Sequence, residues 1–210
     1  MNPELWQAHL FFAFAGFLLL PMSGRTVAVR AGGLALLAGL GFVHVGGLPL
    51  AAYPRSLFDD LALTTMAWLG YAVALRFRPG LRVQDRHSFQ IILCFAFLAL
   101  CLYPATLGLT YMDPYRLGFS PRILLVLMLL VTLVLWMQRN YFGVVLIAGA
   151  TLGFVVDLKD SDNYWDYLID PLLGLFCFSI LILRGIGRIR AAGVALRRKP
   201  GTPQPNSSRS

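Results

Sequence analysis

The chain has 210 residues, of which 58% are apolar and 13% charged, with 18 Lys and Arg against 10 Asp and Glu. Soluble domains average about 25% charged residues, so this composition excludes a soluble globular domain, a disordered chain and a nucleic-acid-binding module. It predicts an all-α polytopic membrane protein.

A transmembrane helix needs about 20 mostly apolar residues. Seven such segments follow one another, at 5–22, 31–52, 57–76, 88–110, 122–138, 141–157 and 167–184. They predict a bundle of about seven transmembrane helices over residues 1–184. The first segment lacks the basic flank and small-residue cleavage site of a secretory signal, so it is expected to span. The second carries Gly32, Gly33, Gly39, Gly41, Gly46 and Gly47, and the sixth carries Gly143, Gly149 and Gly153. Small residues permit close helix approach, which places these two segments centrally. Tyr103-Pro104 is expected to kink the fourth. Ser120 and Pro121 suit the N-cap and first turn of the fifth, whose Leu/Val/Ile/Met content suits a lipid-facing helix. Asp170-Pro171 restarts or kinks the seventh. Residues 185–199 form a basic juxtamembrane segment suited to anionic lipid, and 200–210 read as a disordered polar tail.

The three cysteines, Cys94, Cys101 and Cys177, fall within apolar segments and read as small buried hydrophobes. Cys94 and Cys101 are separated by about 10 Å of helix, too far for a disulfide.

With seven spans the connecting segments alternate sides. One set holds 14 Lys and Arg, the other 4. The positive-inside rule then puts the N-terminus outside and the C-terminus in the cytoplasm of a bacterial-type inner membrane. The acids divide oppositely. Asp85 alone lies on the basic side, while Glu4, Asp59, Asp60, Asp113, Asp157, Asp160, Asp162, Asp166 and Asp170 lie towards the other.

Counting at 1.5 Å per residue from the basic end of each helix places His9, His44, Asp60 and Asp170 at roughly 21–24 Å, just inside the outer edge of a core about 30 Å thick. Intramembrane ionisable groups are costly and normally face a cavity or a partner. The predicted site is therefore an outward-opening polar cavity ringed by His9, His44, Asp60 and Asp170, with Asp59 and Asp166 beside it. Such a set could bind a cation, carry protons, or ligate a divalent metal through His nitrogen and carboxylate oxygen. The alternative is that each is an interfacial group, with Asp59 or Asp60 capping the third helix and Asp170 the seventh.

Asp162, Asp166 and Asp170 recur every four residues, and would form one acidic stripe if the segment were helical. The alternative is a solvated acidic loop with a tyrosine and tryptophan belt, to which Tyr53, Phe58, Tyr103, Tyr111, Tyr115, Tyr164, Trp165 and Tyr167 would belong. The lysines, Lys159 and Lys199, lie in polar segments, which leaves no retinal-linking lysine. There is no haem motif, nucleotide-binding Gly loop, GxSxG or HExxH. The leading expectation is a non-enzymatic protein that binds or translocates a cationic or polar solute through an acidic outer vestibule. The alternatives are a metal-dependent membrane enzyme acting on a lipid or lipid-linked sugar, and a scaffold subunit of an envelope complex. Expected partners are the bilayer, anionic lipids at the basic segment, and a membrane-protein partner or a second copy.

Overall fold

The computed structural model describes residues 5–58, 61–109 and 111–197, and is mostly helical. Seven longer helices coincide with the seven apolar segments: α1 (Trp6–Leu19), α2 (Val27–Leu40), α4 (Leu63–Phe77), α5 (Asp85–Thr106), α7 (Arg122–Met137), α8 (Tyr141–Val155) and α10 (Pro171–Arg197). Three short helices lie between them: α3 (Ala52–Phe58), α6 (Arg116–Phe119) and α9 (Trp165–Leu168). The helix of the last apolar segment runs on through the basic stretch to Arg197. Glu4, Asp59, Asp60 and the tail from 198 lie outside the described residues.

Only α5 and α10, among the described helices, are long and apolar enough to cross a membrane. The remaining apolar helices have 14 to 16 residues. That is about 21–24 Å of helix, less than the core thickness of about 30 Å.

Differences from the segment boundaries have local causes. The second helix starts early because the Thr26 hydroxyl accepts the Val29 N–H at 3.4 Å as an N-cap. It ends at Leu40 because the next residues form a small hairpin, β1 (His44–Val45) paired antiparallel with β2 (Leu48–Pro49). The hairpin turns at Gly46 and Gly47, whose φ values of 59° and 87° favour glycine. The Tyr53 hydroxyl closes this hairpin by donating to the Val45 carbonyl at 2.6 Å. Ser120 does not cap α7, which begins after Pro121 without a side-chain cap. The turn from α7 to α8 needs only Gln138, Arg139 and Asn140. Arg139 adopts a φ of 58°, and the Asn140 side chain accepts the Gly143 N–H while donating to the His87 carbonyl.

The core is formed by α5, α8, α10 and the stretch between α8 and α10, with Phe95, Leu146, Ile147, Tyr164, Tyr167 and Cys177 among its most buried members. Of the two Gly-rich segments, one is central and one is not. In α8 a Cβ on Gly153 would collide with the Leu63 side chain, and one on Gly143 would meet Leu135 at 3.0 Å. By contrast, α2 buries no residue, and Gly32 and Gly39 face open space. Helix α2 is therefore peripheral, and of its glycines Gly33 alone would bring a Cβ into collision, with the Met22 side chain of the preceding turn. Helix α7 buries Leu124, Met128 and Leu135 and turns the rest of its apolar surface outward.

Candidate functional site

The site is built by the connection between α8 and α10, which folds inward. Asn163, Tyr164, Tyr167 and Leu168 are fully buried, and Trp165 nearly so. An inward-folded connection must satisfy its own polar groups. Asn163 donates to the Tyr115 carbonyl at 3.1 Å and accepts the Trp165 N–H at 3.0 Å. The Trp165 indole N–H donates to the Pro114 carbonyl at 2.9 Å. The Tyr164 N–H reaches the Gly118 carbonyl at 3.1 Å, and Gly118 is required there because a Cβ would collide with the Asn163 amide. Thr151 gives its hydroxyl proton to the Ile147 carbonyl, so the Tyr164 hydroxyl donates to Thr151 at 2.5 Å. Tyr164, Trp165 and Tyr167 are thus core residues rather than members of an interfacial belt. Tyr111, fully exposed, and Tyr53 remain at the surface.

Three bonds fasten this connection to the start of α4. Lys159 Nζ donates to the Leu61 carbonyl at 3.0 Å, the Thr64 hydroxyl to the Leu168 carbonyl at 2.6 Å, and the Ala62 N–H to Asp170 Oδ2 at 2.8 Å. The other oxygen of Asp170 accepts the Leu173 N–H at 2.7 Å. Asp170 therefore caps α10, with Pro171 in the first turn, and also binds an N–H at the head of α4. Both helix N-termini stabilise its negative charge.

Between this connection and the end of α5 lies a cavity of about 470 Å³. Asp160, Asp166, Asp170, Lys159, Tyr103 and Tyr115 contribute its polar wall. The half-buried Asp166 carboxylate accepts from the Tyr115 hydroxyl at 3.1 and 3.2 Å and from Ser161 at 2.5 Å. Lys159 directs its ammonium to the Asp166 backbone carbonyl at 2.9 Å. The Tyr103 hydroxyl is buried and has no hydrogen-bond partner. Burial, reinforced by the Asp166 charge, pushes the Tyr115 hydroxyl up to about 12. Burial also raises Tyr164.

The predicted ring divides. Asp166 and Asp170 line the cavity, but His9 and His44 do not. His9 sits on α1, donates from Nδ1 to the Leu5 carbonyl at 2.8 Å, and packs on Phe42 with ring centroids 4.2 Å apart. His44 is exposed on β1, bonded to the Phe42 carbonyl at 3.0 Å. The depth estimate for His44 assumed a helix reaching that far, and the hairpin removes that premise. Asp59 and Asp60 lie outside the described residues. No acidic stripe forms either. Helix α9 spans only four residues, so Asp162 is exposed while Asp166 and Asp170 turn inward. No group of three His, Cys, Asp or Glu among the described residues is placed to hold a metal ion.

Sequence reasoning put Tyr103 and Tyr115 in an aromatic belt and Lys159 in a polar loop, and missed that they share one cavity wall with the acids. The available signal was the aromatic and basic content of the same segments, but their convergence depends on the inward fold of residues 163–169. No protein-family model, curated protein or solved structure matches this chain.

Proposed function

We propose that this chain is a seven-helix integral membrane protein of a bacterial-type inner membrane, and that the acidic cavity binds and passes a small cationic or polar solute. The observation that carries the solute reading is the lining itself: three carboxylates against one ammonium, with an unpartnered buried hydroxyl, Tyr103, in the same wall. A net negative cavity of low dielectric favours a cation, and a lone buried hydroxyl favours a ligand that hydrogen-bonds to it.

The membrane reading rests on the surface. Leu93, Phe97 and Leu100 on α5, Val126 and Leu130 on α7, and Leu175 and Ile182 on α10 are all at least half exposed. Only 17% of the apolar window of α10 is buried inside the protein. Exposed apolar surface on this scale requires a lipid or protein partner. The short helices fit a bilayer that thins locally or is completed by the connecting segments. The unequal division of Lys and Arg among the connections supports an outer N-terminus and an inner C-terminus.

The test is calorimetric titration of the detergent-purified protein with a panel of small organic amines, a neutral sugar serving as control. Saturable binding of an amine is expected, weakened about tenfold in Asp166→Asn by loss of one charge-assisted contact. Equal binding of the sugar, unchanged in Asp166→Asn, would count against a cation site.

A further inference from the structure

A second cavity, of about 370 Å³, lies at the opposite end of the bundle from the acidic one, among α1, α2 and α4. Its polar wall consists of Ser23, Arg30 and Arg76, and its apolar wall includes Leu20, Met22 and Leu75. Arg76 directs Nη1 to the Phe17 and Leu20 carbonyls, at 2.6 and 2.8 Å, and Nη2 to the Leu18 carbonyl at 2.5 Å. It thereby satisfies the last carbonyls of α1, and its guanidinium also lies 5.4 Å from the Phe17 ring centre. Arg30 donates from Nη1 to the Arg76 carbonyl, in the last turn of α4. Its Nε is buried with no hydrogen-bond partner.

The charges do not cancel. Two guanidinium groups contribute two full positive charges. The two helix C-termini that they cap offer about −0.5 each, and no carboxylate is among the lining residues. The turns on either side carry Arg25 and Arg78, of the same sign. An electropositive cavity bordered by a buried unpartnered N–H and an apolar wall suits an anion attached to carbon chains.

We propose that this cavity binds the phosphate group of an anionic amphiphile, a phospholipid headgroup, with Arg30 and Arg76 as charge-assisted donors and Ser23 as a neutral one. Leu20, Met22 and Leu75 face the glycerol and acyl carbons. Guanidinium groups suit this role because their fixed fork matches two phosphate oxygens. Basic pockets between helices take anionic headgroups in this way. The inference concerns a different site from the acidic cavity and stands without it.

The experiment is native mass spectrometry of the detergent-purified full chain with phosphatidylglycerol or phosphatidylcholine, paired with thermal unfolding in inorganic phosphate. The expected result is retention of phosphatidylglycerol over phosphatidylcholine, weakened about tenfold or more in Arg30→Gln. Arg116→Gln, exposed on α6 and outside this cavity, should retain the lipid as the unaltered protein does. Displacement of the lipid by phosphate identifies the phosphate as the recognised group, while persistence of the lipid shows that its chains contribute. A phosphate-induced rise in melting temperature without lipid retention assigns the same site to free phosphate. The proposal is overturned if the unaltered protein neither prefers phosphatidylglycerol nor responds to phosphate. It is equally overturned if Arg30→Gln binds as the unaltered protein does. The first of these needs no variant, so misfolding of Arg30→Gln leaves the proposal falsifiable.

Discussion

The Asp170 carboxylate accepts the Ala62 backbone N–H at 2.8 Å across 108 positions of sequence, while its second oxygen caps α10 through Leu173. One buried side chain thus joins the heads of two helices. Asp170→Ala removes both acceptors and strands two buried N–H groups. Losing an N-cap costs about 0.5–2 kcal/mol and an orphaned buried donor about 1–3 kcal/mol. A loss of about 3 kcal/mol is expected, read as a lower melting temperature in detergent. Asp170→Asn, which keeps one acceptor oxygen, should lose roughly half as much. Equal stability of Asp170→Ala and the unaltered protein would refute the double cap.

Tyr103 separates stability from ligand binding. Its hydroxyl is buried without a partner, so Tyr103→Phe removes an unsatisfied group and should stabilise the free protein by about 1 kcal/mol. The same change should weaken amine binding in the titration above. Stabilisation with unchanged binding would remove Tyr103 from the solute site.

Two glycines of one helix should behave oppositely. A Cβ on Gly149 meets nothing, whereas one on Gly153 collides with Leu63. Gly149→Ala is expected to be neutral or to stabilise by up to about 1 kcal/mol through helix propensity. Gly153→Ala should cost about 1–3 kcal/mol by overpacking. Gly118→Ala, which would displace the fully buried Asn163, should cost as much or more. Thermal unfolding of the three variants side by side checks the order.

Alkaline titration probes the contact between Tyr115 and Asp166. Burial and the Asp166 charge raise the Tyr115 hydroxyl from its ordinary value of 10.0 to about 12 in the folded protein. The folded state therefore holds this proton more tightly than the unfolded state. Its contribution to stability is complete below pH 10 and is lost as pH rises from about 10 to about 12. Phenolate absorbance should show a late-ionising tyrosine that is absent in Tyr115→Phe. Stability should fall less steeply over this window in the variant.

Labelling tests the membrane reading. Cys101 is exposed on α5 beside the outward-facing Phe97 and Leu100. If that surface faces lipid, a membrane-impermeant maleimide should leave Cys101 unmodified in intact membranes and modify it after denaturation. Rapid labelling in intact membranes would place this face in water.

The sequence by itself determined where the helices lie and how charge is distributed among their connections. Apolar run length and the placement of Lys, Arg, Asp and Glu are local properties, and each of the seven apolar segments holds one longer helix, although the second is helical only to Leu40. Proline and glycine punctuation was legible where the backbone alone decides, as at Asp170-Pro171. Tertiary structure decided what each segment packs against. The glycines of α2 and α8 look alike in sequence, yet Gly143 and Gly153 of α8 are packed against other helices while Gly32 and Gly39 of α2 face open space, because close approach requires a partner helix that composition cannot specify. Residues 163–169 read as a polar, aromatic loop, yet they are buried because Thr64, Thr151, Tyr115 and Pro114, all distant in sequence, satisfy their polar groups. The same long-range contacts joined Asp166 and Asp170 to Tyr103, Tyr115 and Lys159 and left His9 and His44 elsewhere. Shared depth along a helix axis fixes one coordinate of a site, whereas helix rotation and packing fix the other two.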